Sequence, residues 1–321
     1  MFSLSELEAA AAGIYRFMPA TPQYSWPQLN HHTGCELWVK HENHTPTTAF
    51  KVRGGIHLLS SLKQRGEMPS GVLSATRGNH GQSLSYAGRL FDLPVTIVVP
   101  ECNNADQNAA IKSFGAELII HGDDFEAARQ HSVQLQQALN YRAVAPFERE
   151  LVLGVATYAL EFFSAQPDMD TVYVPVGMGS GICGLIQTRD LLGLNTKIVG
   201  VVAEGAPTFA RSFAAGKVIN TEQANTIADG VATRAPMEEA FDIILNGADR
   251  IITVSDDEIA RAMYLYFRTT HNLSEGAGAV PLAGLLSERN TLQGKKVGVI
   301  LSGGNIDFAR FQRLVAPYVG D

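Results

Sequence analysis

Short runs of apolar, largely β-branched residues recur along the chain, each set off from the next by a segment with helical periodicity. In Pro94-Val-Thr-Ile-Val-Val99 only Thr96 is polar. A strand with one wet face alternates polar and apolar residues, whereas a strand covered on both faces reads as a near-continuous apolar run. Thr171–Val176, Lys197–Ala203, Ile251–Val254 and Lys296–Leu301 have the same character, and Glu36–Lys40, Gly71–Ala75 and Ala116–His121 complete the predicted strands. The predicted helices fall between them: Lys51 to about Arg65, His80–Leu90, Asp106–Phe114, Asp124–Asn140, Gly154–Ala165, Gly181–Leu192 and Asp256–Thr270. Strands joined through helices of this length form βαβ units. The expected fold class is α/β, with two parallel-sheet domains.

Composition shifts at Gln64–Gly71 and Ala143–Glu150 mark the expected boundaries. They predict a large domain of residues 1–68 and 150–321, with a small domain, 69–149, inserted in it. With 321 residues the chain can bury two such cores without disulfides or metal. Its three cysteines, Cys35, Cys102 and Cys183, are far apart and form no Cys-x-x-Cys, which fits a reducing cytoplasm. A formal charge of -7 and a pI of about 5.7 argue against nucleic acid as a partner, because phosphates need a basic surface. The N-terminal MFSLSELEAAAAGIYRF carries acids where a signal peptide needs bases, so a short helix is expected there. No apolar run approaches the ~20 residues of a membrane helix. The expected setting is cytoplasmic, with no membrane partner.

Four segments demand something special of the backbone. Lys51 follows Phe50 at the start of a predicted helix. A cation is disfavoured there, and a lowered amine pKa suits a nucleophile, although a plain surface lysine also fits. Ser74-Ala-Thr-Arg-Gly-Asn-His-Gly-Gln82 joins a strand to a helix, where backbone N–H groups favour an anion. Thr76, Asn79 and Gln82 add donors, and Gly78 and Gly81 frame Asn79-His80; a polar cap would explain only part of this. Val174-Pro-Val-Gly-Met-Gly-Ser-Gly-Ile-Cys-Gly184 is a strand, a glycine-rich turn and a helix, the arrangement that closes amides on a phosphate. It also matches a dinucleotide fingerprint, Gly179-x-Gly181-x-x-Gly184, with Glu204 twenty positions later. Lys296–Asn305 is a buried strand ending in Ser302 and two glycines, which turn chemistry alone would also explain.

Other candidates are weaker. The histidines show no metal spacing, and His31, His32, His41 and His44 are expected at the surface. No Gly-x-Ser-x-Gly elbow supports a serine triad. Asp123-Asp124 and Asp256-Asp257 read as helix caps.

Taken in this order, the four segments resemble the threonine dehydratase and serine racemase group of pyridoxal-phosphate enzymes, which have the tryptophan synthase β-like architecture called fold type II. The resemblance runs from Thr21-Pro22 to Asn305 and includes Thr226-Ile-Ala-Asp-Gly230 and Glu275-Gly-Ala-Gly-Ala279. It implies that Lys51 holds pyridoxal 5'-phosphate covalently and later moves the Cα proton. Phe50 would support one side of the cofactor, Asn79 would reach its phenolic oxygen, and Ser302 would meet its pyridine nitrogen. Gly177, Met178, Gly179, Ser180 and Gly181 would wrap the phosphate. Thr76, Gly78 and His80 would hold the substrate carboxylate, and Glu275 would sit near the ring and the leaving group. The implied reaction is β-elimination from a 3-hydroxy amino acid of the L-threonine or L-serine type, giving a 2-oxo acid and ammonia. The implied assembly is a homodimer, and the dinucleotide match becomes accidental.

The chain departs from that pattern at several points. Thr48 and Ala49 stand where the family carries glycine and serine. Arg77 replaces a small residue that is a serine in racemases; arginine does not release a proton near neutral pH, so little or no racemase activity is expected. Arg77 would either pair with a second substrate carboxylate, as in 3-hydroxyaspartate, or turn away to an Asp or Glu. The run Ala75–Gln82 also resembles dehydratases assigned to phenylserine or to hydroxyectoine breakdown. Thr208 and Ala210 follow Glu204 where some relatives hold a divalent metal, so no metal site is expected. The short stretch after Ser302 leaves no room for a regulatory domain, so isoleucine feedback is not expected. The other readings are β-replacement, as in cysteine synthases, a nicotinamide-dependent oxidoreductase, and a cofactor-holding protein without catalysis.

Overall fold

The computed structural model describes residues 1–320. The strands are β1 (Gln23–Ser25), β2 (Glu36–His41), β3 (Val72–Ala75), β4 (Val95–Val99), β5 (Glu117–Ile120), β6 (Arg142–Ala143), β7 (Thr171–Pro175), β8 (Lys197–Ala203), β9 (Arg250–Val254) and β10 (Lys296–Leu301). The α-helices are α1 (Leu4–Ile14), α2 (Pro27–Thr33), α3 (Lys51–Arg65), α4 (Asn79–Leu90), α5 (Ala105–Ser113), α6 (Phe125–Leu139), α7 (Arg149–Ala165), α8 (Ser180–Leu191), α9 (Thr208–Ala215), α10 (Glu238–Gly247), α11 (Asp256–Thr270), α12 (Gly276–Ser287) and α13 (Phe308–Val315).

Two sheets result. One has six strands in the order β1-β2-β10-β7-β8-β9 and the other has four in the order β5-β4-β3-β6. Every pairing is parallel except β1 with β2. Both faces of the larger sheet are covered, as its apolar strands require. Tyr173, Val199, Val201, Val297 and Val299 pack against α11 and α12, while their neighbours Val172, Val174, Ile198, Val202 and Ile300 pack against α7 and α8. The smaller sheet, confined to residues 72–143, buries Val72, Val95, Ile97 and Val99 on one face and Leu73 and Val98 on the other.

Helix α3 ties the sheets together. Its Leu58, Leu59 and Leu62 enter the core of the four-stranded sheet. Its Gly54 faces α7 so closely that a Cβ there would lie 2.9 Å from the Leu151 carbonyl oxygen. Two residues beyond Lys51, Arg53 is wholly buried and engages two carboxylates through its guanidinium. It donates to Glu42 at 2.7 and 3.0 Å, and to Glu161 at 2.6 and 2.9 Å. Lys40 also reaches Glu161, and Thr21 donates to Glu42 at 2.6 Å. Two cations and two anions are thus locked together away from water, and the segment leading to Lys51 is clamped at Glu42 and at Arg53.

Several expectations need correction. Helix α7 begins at Arg149, not Gly154, and α12 has no counterpart among the predicted helices: it is buried nearly all round and so lacks an amphipathic stripe. His41 is buried rather than on the surface, and accepts a hydrogen bond from the Trp26 indole at 3.1 Å. Asp124 does cap α6, but Ser255 caps α11; Asp256 instead accepts from Thr226 and the Ile227 N–H, and Asp257 from Tyr318. All three cysteines are free thiols. Among the described residues no helix is long and apolar enough to cross a membrane.

Removing one member of a buried ion pair strands its partner's charge, at a cost of about 3–5 kcal/mol. Arg53→Ala strands Glu42 and Glu161 together and is expected to cost at least that range, read by chemical denaturation of the cofactor-free protein. A loss below about 1 kcal/mol would mean that the cluster does not hold α3.

Candidate active site

In a parallel sheet the carboxyl ends of the strands share one edge, and loops there converge. Segment 42–50 leaves β2, residues 176–179 leave β7, and residues 302–307 leave β10; these strands lie together in the larger sheet. The turn 76–78 leaves β3 of the smaller sheet and is joined to them by hydrogen bonds.

Lys51 is the first residue of α3, and Phe50 precedes it as the cap. The Phe50 N–H donates to the Ser302 carbonyl at 3.0 Å and the Gly304 N–H to the Thr48 carbonyl at 2.9 Å, so the lysine is pinned beside the end of β10. Its amine lies 5.0 Å from the Phe50 ring centre and has no ion pair or hydrogen bond among the described residues. Burial lowers it to about 8, against the opposing pull of Glu275.

Glu275 is the cap of α12, and its N–H donates to the Gly303 carbonyl at 3.2 Å. Burial pushes its carboxyl up to about 7, and Asp229 adds to this; Asn79, Arg310 and Lys51 oppose it. Asn79 donates to Glu275 Oε1 at 2.7 Å, which leaves its second amide hydrogen for another acceptor.

The glycine turn after β7 has the backbone geometry of an anion cradle. Gly179 caps α8 with φ +99°, a left-handed conformation that favours glycine, and α8 has no side-chain cap. A Cβ on Gly177 would come within 2.2 Å of the Gly230 carbonyl oxygen. Met178 is half-buried and accepts a weak bond from Thr233 at 3.8 Å. The Gly181 carbonyl accepts from the Tyr158 hydroxyl at 2.8 Å, and the Phe50 ring lies edge-on to Tyr158. The Ser180 and Ser302 hydroxyls belong to buried residues and have no partner among the described residues.

The second turn is equally bare. Gly78 caps α4 without a side-chain bond, and its N–H donates to Thr76 Oγ1 at 3.3 Å. The His80 ring is turned inward toward the Val144 carbonyl at 3.3 Å. Burial, and secondly the Lys51 charge, push it down to about 3, so it is neutral and its main-chain N–H is the group offered to an anion. Arg77 is exposed with no ion pair among the described residues, so of its two alternatives the Asp or Glu partner is not seen. Glu204 is exposed just after β8, and Thr208 is engaged with the Thr233 carbonyl; no group of His, Cys, Asp or Glu among the described residues has the makings of a metal site.

Sequence reasoning missed Asn305, Gln107, Asp229 and Arg310 as neighbours of this site. Asn305 donates to Asn79 Oδ1 at 2.7 Å, and Gln107 to the Asn305 carbonyl at 3.0 Å. Arg310 pairs with Asp229 at 2.6 Å. The polar Asn305 directly after Ser302-Gly-Gly was the one available signal.

Bare amides at a helix start, two unpartnered hydroxyls and a reactive amine suit a phosphate-bearing ring with a carbonyl and a basic nitrogen. Residues 14–303 match the family described as "Pyridoxal-phosphate dependent enzyme". The chain belongs to this family. It is 30% identical over 316 residues to an L-threonine ammonia-lyase of Thermotoga maritima, a match covering 98% of this chain and 78% of that one. It is 32% identical over 308 residues to an L-threo-3-hydroxyaspartate ammonia-lyase of Saccharomyces cerevisiae, covering 96% and 94%. The crystal structure of a serine racemase from Dictyostelium discoideum superposes with a TM-score of 0.87 at 31% identity, covering 95% and 99%. The cofactor is pyridoxal phosphate, and the dinucleotide reading of residues 179–184 falls away.

The Glu275 carboxyl gives the cofactor-free protein a signature in pH. Its folded value of about 7 lies above the ordinary 4.5, so its contribution to stability is complete below pH 4.5 and is lost as pH rises through about 7. The wild-type protein is expected to lose stability relative to Glu275→Gln across that window, measured by chemical denaturation at both ends of it. A constant difference would mean that the carboxyl titrates normally.

Proposed function

We propose that the protein is a pyridoxal-phosphate-dependent ammonia-lyase that converts a 3-hydroxy amino acid of the L-threonine or L-serine type to a 2-oxo acid and ammonia. The observation that carries this is geometric: the Lys51 amine, without ion pair or hydrogen bond among the described residues, is pinned beside Ser302 at the end of β10, and the Glu275 main chain is tied to the same junction through the Gly303 carbonyl. The ammonia-lyases to which the chain is similar support the same reaction class. When bound, the cofactor supplies the electron sink that makes a Cα proton removable.

The chain's own residues then take these roles. Gly177, Met178, Gly179, Ser180 and Gly181 hold the phosphate, with the positive end of α8 behind them. Phe50 covers one side of the ring, Asn79 uses its second amide hydrogen on the phenolic oxygen, and Ser302 meets the pyridine nitrogen. The bare N–H groups of Asn79 and His80, with Thr76 and Gly78, orient the substrate carboxylate. Lys51 would hold the cofactor and, with its amine free, would take the Cα proton; an amine near 8 is unprotonated often enough to act as a base. Glu275, protonated about half the time near pH 7, hands its proton to the departing hydroxyl so that it leaves as water. Residues 69–149 serve as the substrate clamp inserted in a cofactor-binding unit of residues 1–68 and 150–321. The enzyme works as a cytoplasmic homodimer.

A second substrate, L-threo-3-hydroxyaspartate, is favoured by one observation. Arg77 is exposed, with no ion pair among the described residues, within the turn that would receive the first carboxylate.

An absorption spectrum with and without substrate tests the proposal. Purified protein should show a visible cofactor band that Lys51→Ala lacks, and L-threonine should yield 2-oxo acid in the same cuvette. If the band responds to threonine without product, hydroxyaspartate and then phenylserine are the next substrates. With hydroxyaspartate as substrate, Arg77→Ala should raise KM by ~10- to 100-fold, the worth of a charge-assisted bond of about 1.5–3 kcal/mol. No band after adding pyridoxal phosphate would sink the assignment.

Ser302 bears on the reaction's outcome. A neutral hydroxyl would hold the pyridine nitrogen less protonated than a carboxylate would, so the cofactor would supply a weaker electron sink, which favours elimination over transamination. Ser302→Asp is expected to raise the fraction of abortive turnovers that end as transaminated cofactor, quantified by loss of activity on standing with substrate and its recovery with added pyridoxal phosphate. An unchanged fraction would remove this role from Ser302.

A further inference from the structure

Thr48 has φ +51°, in the left-handed region where a β-branched residue is an outlier. The conformation is imposed from both sides: its N–H donates to the Thr45 carbonyl, and its carbonyl accepts from Gly304, each at 2.9 Å. Glycine would sit there without strain, so the threonine side chain calls for an explanation. Its hydroxyl donates to Asn305 Oδ1.

Asn305 cannot turn over. A main-chain carbonyl only accepts, so its NH2 must face the Thr47 carbonyl at 2.8 Å and the neighbouring Asn79 oxygen at 2.7 Å. Its oxygen must then face the Thr48 hydroxyl. Asn79 in turn has its oxygen committed to Asn305, so its NH2 is the end that meets Glu275 Oε1 at 2.7 Å. That oxygen is backed by Gly303, where a Cβ would approach it to 2.4 Å.

We propose that Asn305, oriented by the Thr47 carbonyl and held in place by the Thr48 hydroxyl, is a positioning residue that fixes the Asn79 amide with its NH2 toward Glu275 and so sets the proton affinity of that carboxyl. This rests on the reading of Glu275 as the carboxyl that handles the leaving-group proton. Without the lock, nothing holds the Asn79 NH2 at hydrogen-bond distance from Glu275, so the carboxylate loses a donor, which disfavours the charged form. The other charged groups facing Glu275 are Lys51 on α3, Asp229 in the turn 229–231 and Arg310 on α13; none is altered by changes at 48 or 305.

The test reads the carboxyl directly in cofactor-free protein. Glutamate labelled with 13C at the carboxyl is incorporated, and the Glu275 resonance is assigned by its absence in Glu275→Gln. In the wild-type protein its midpoint is expected near pH 7. Asn305→Ala should raise it by about one unit, a tenfold change in ionisation constant. Thr48→Val, which keeps the shape and deletes the hydroxyl, should raise it as well. Thr48→Ser, which keeps the hydroxyl and drops the branch, should leave it unchanged. Thr48→Gly should melt no lower than wild type yet show the raised midpoint, separating the lock from fold stability.

A midpoint unmoved or lowered in folded Asn305→Ala overturns the proposal. A midpoint moved in Asn305→Ala but not in Thr48→Val removes Thr48 from it. Full activity of loaded Glu275→Gln would instead defeat the proton-handling reading, and the resonance measurement distinguishes the two failures.

Discussion

The start of α3 and the end of β10 are stitched together by main-chain hydrogen bonds: Phe50 N–H to Ser302 C=O, Gly304 N–H to Thr48 C=O, and a bridge between Ala49 and Gly303. Each is worth only about 0.5–1.5 kcal/mol net. Their importance lies in what they connect. Strand β10 lies between β2 and β7 and is held in register by both. A segment stitched to its end inherits the rigidity of the sheet centre. Lys51 and Ser302 therefore emerge side by side, and Glu275, whose N–H reaches the Gly303 carbonyl, is drawn in with them. The candidate chemistry depends on this junction more than on any single side chain.

The molecule handles buried charge in two opposite ways. Around Arg53 the guanidinium is fully engaged and opposite charges are matched at short range. Such a cluster is closed to further partners and has only a structural use. Lys51 and Glu275 are also opposite in sign, but burial outweighs their attraction, and each moves toward its neutral form. Near neutral pH a fraction of the amine is then unprotonated and a fraction of the carboxyl protonated, so a base and an acid can coexist at one site. The unpartnered hydroxyls of Ser180 and Ser302 and the uncapped starts of α4 and α8 are open in the same sense.

What the sequence disclosed follows the range of the forces involved. The buried strands were legible because burial on both faces leaves no polar alternation, and the two glycine turns because backbone amides at a helix start need little else. The helices α2, α9, α10, α12 and α13 were not, and α12 shows why: packed on all sides, it has no polar face to give a period. His41 was misplaced because its burial depends on Trp26 and Tyr24, contacts that no local pattern reveals. Asp256 looked like a cap but answers to Thr226 across the fold. The four segments of the site could be found one by one. That Asn79 meets Glu275 and Asn305 could not, since it depends on how the two sheets are set against each other.

That setting has two kinds of contact. On the side of α3 the sheets are joined through apolar packing, with Leu58, Leu59 and Leu62 in the smaller core and Gly54 against α7. Around the candidate site the bridging contacts described are polar: Asn79 to Glu275, Asn305 to Asn79, Gln107 to Asn305, and Asn104 to Asp307. Water replaces a polar contact at little net cost, whereas separating apolar surfaces costs in proportion to the area exposed. The seam is therefore weakest where the substrate has to enter. Since α3 carries Lys51 at its first turn, the lysine lies at the boundary between the firm side of the seam and the soft one. An amine placed there keeps its position relative to β10 while the turn proposed to hold the substrate carboxylate remains the easier part to displace.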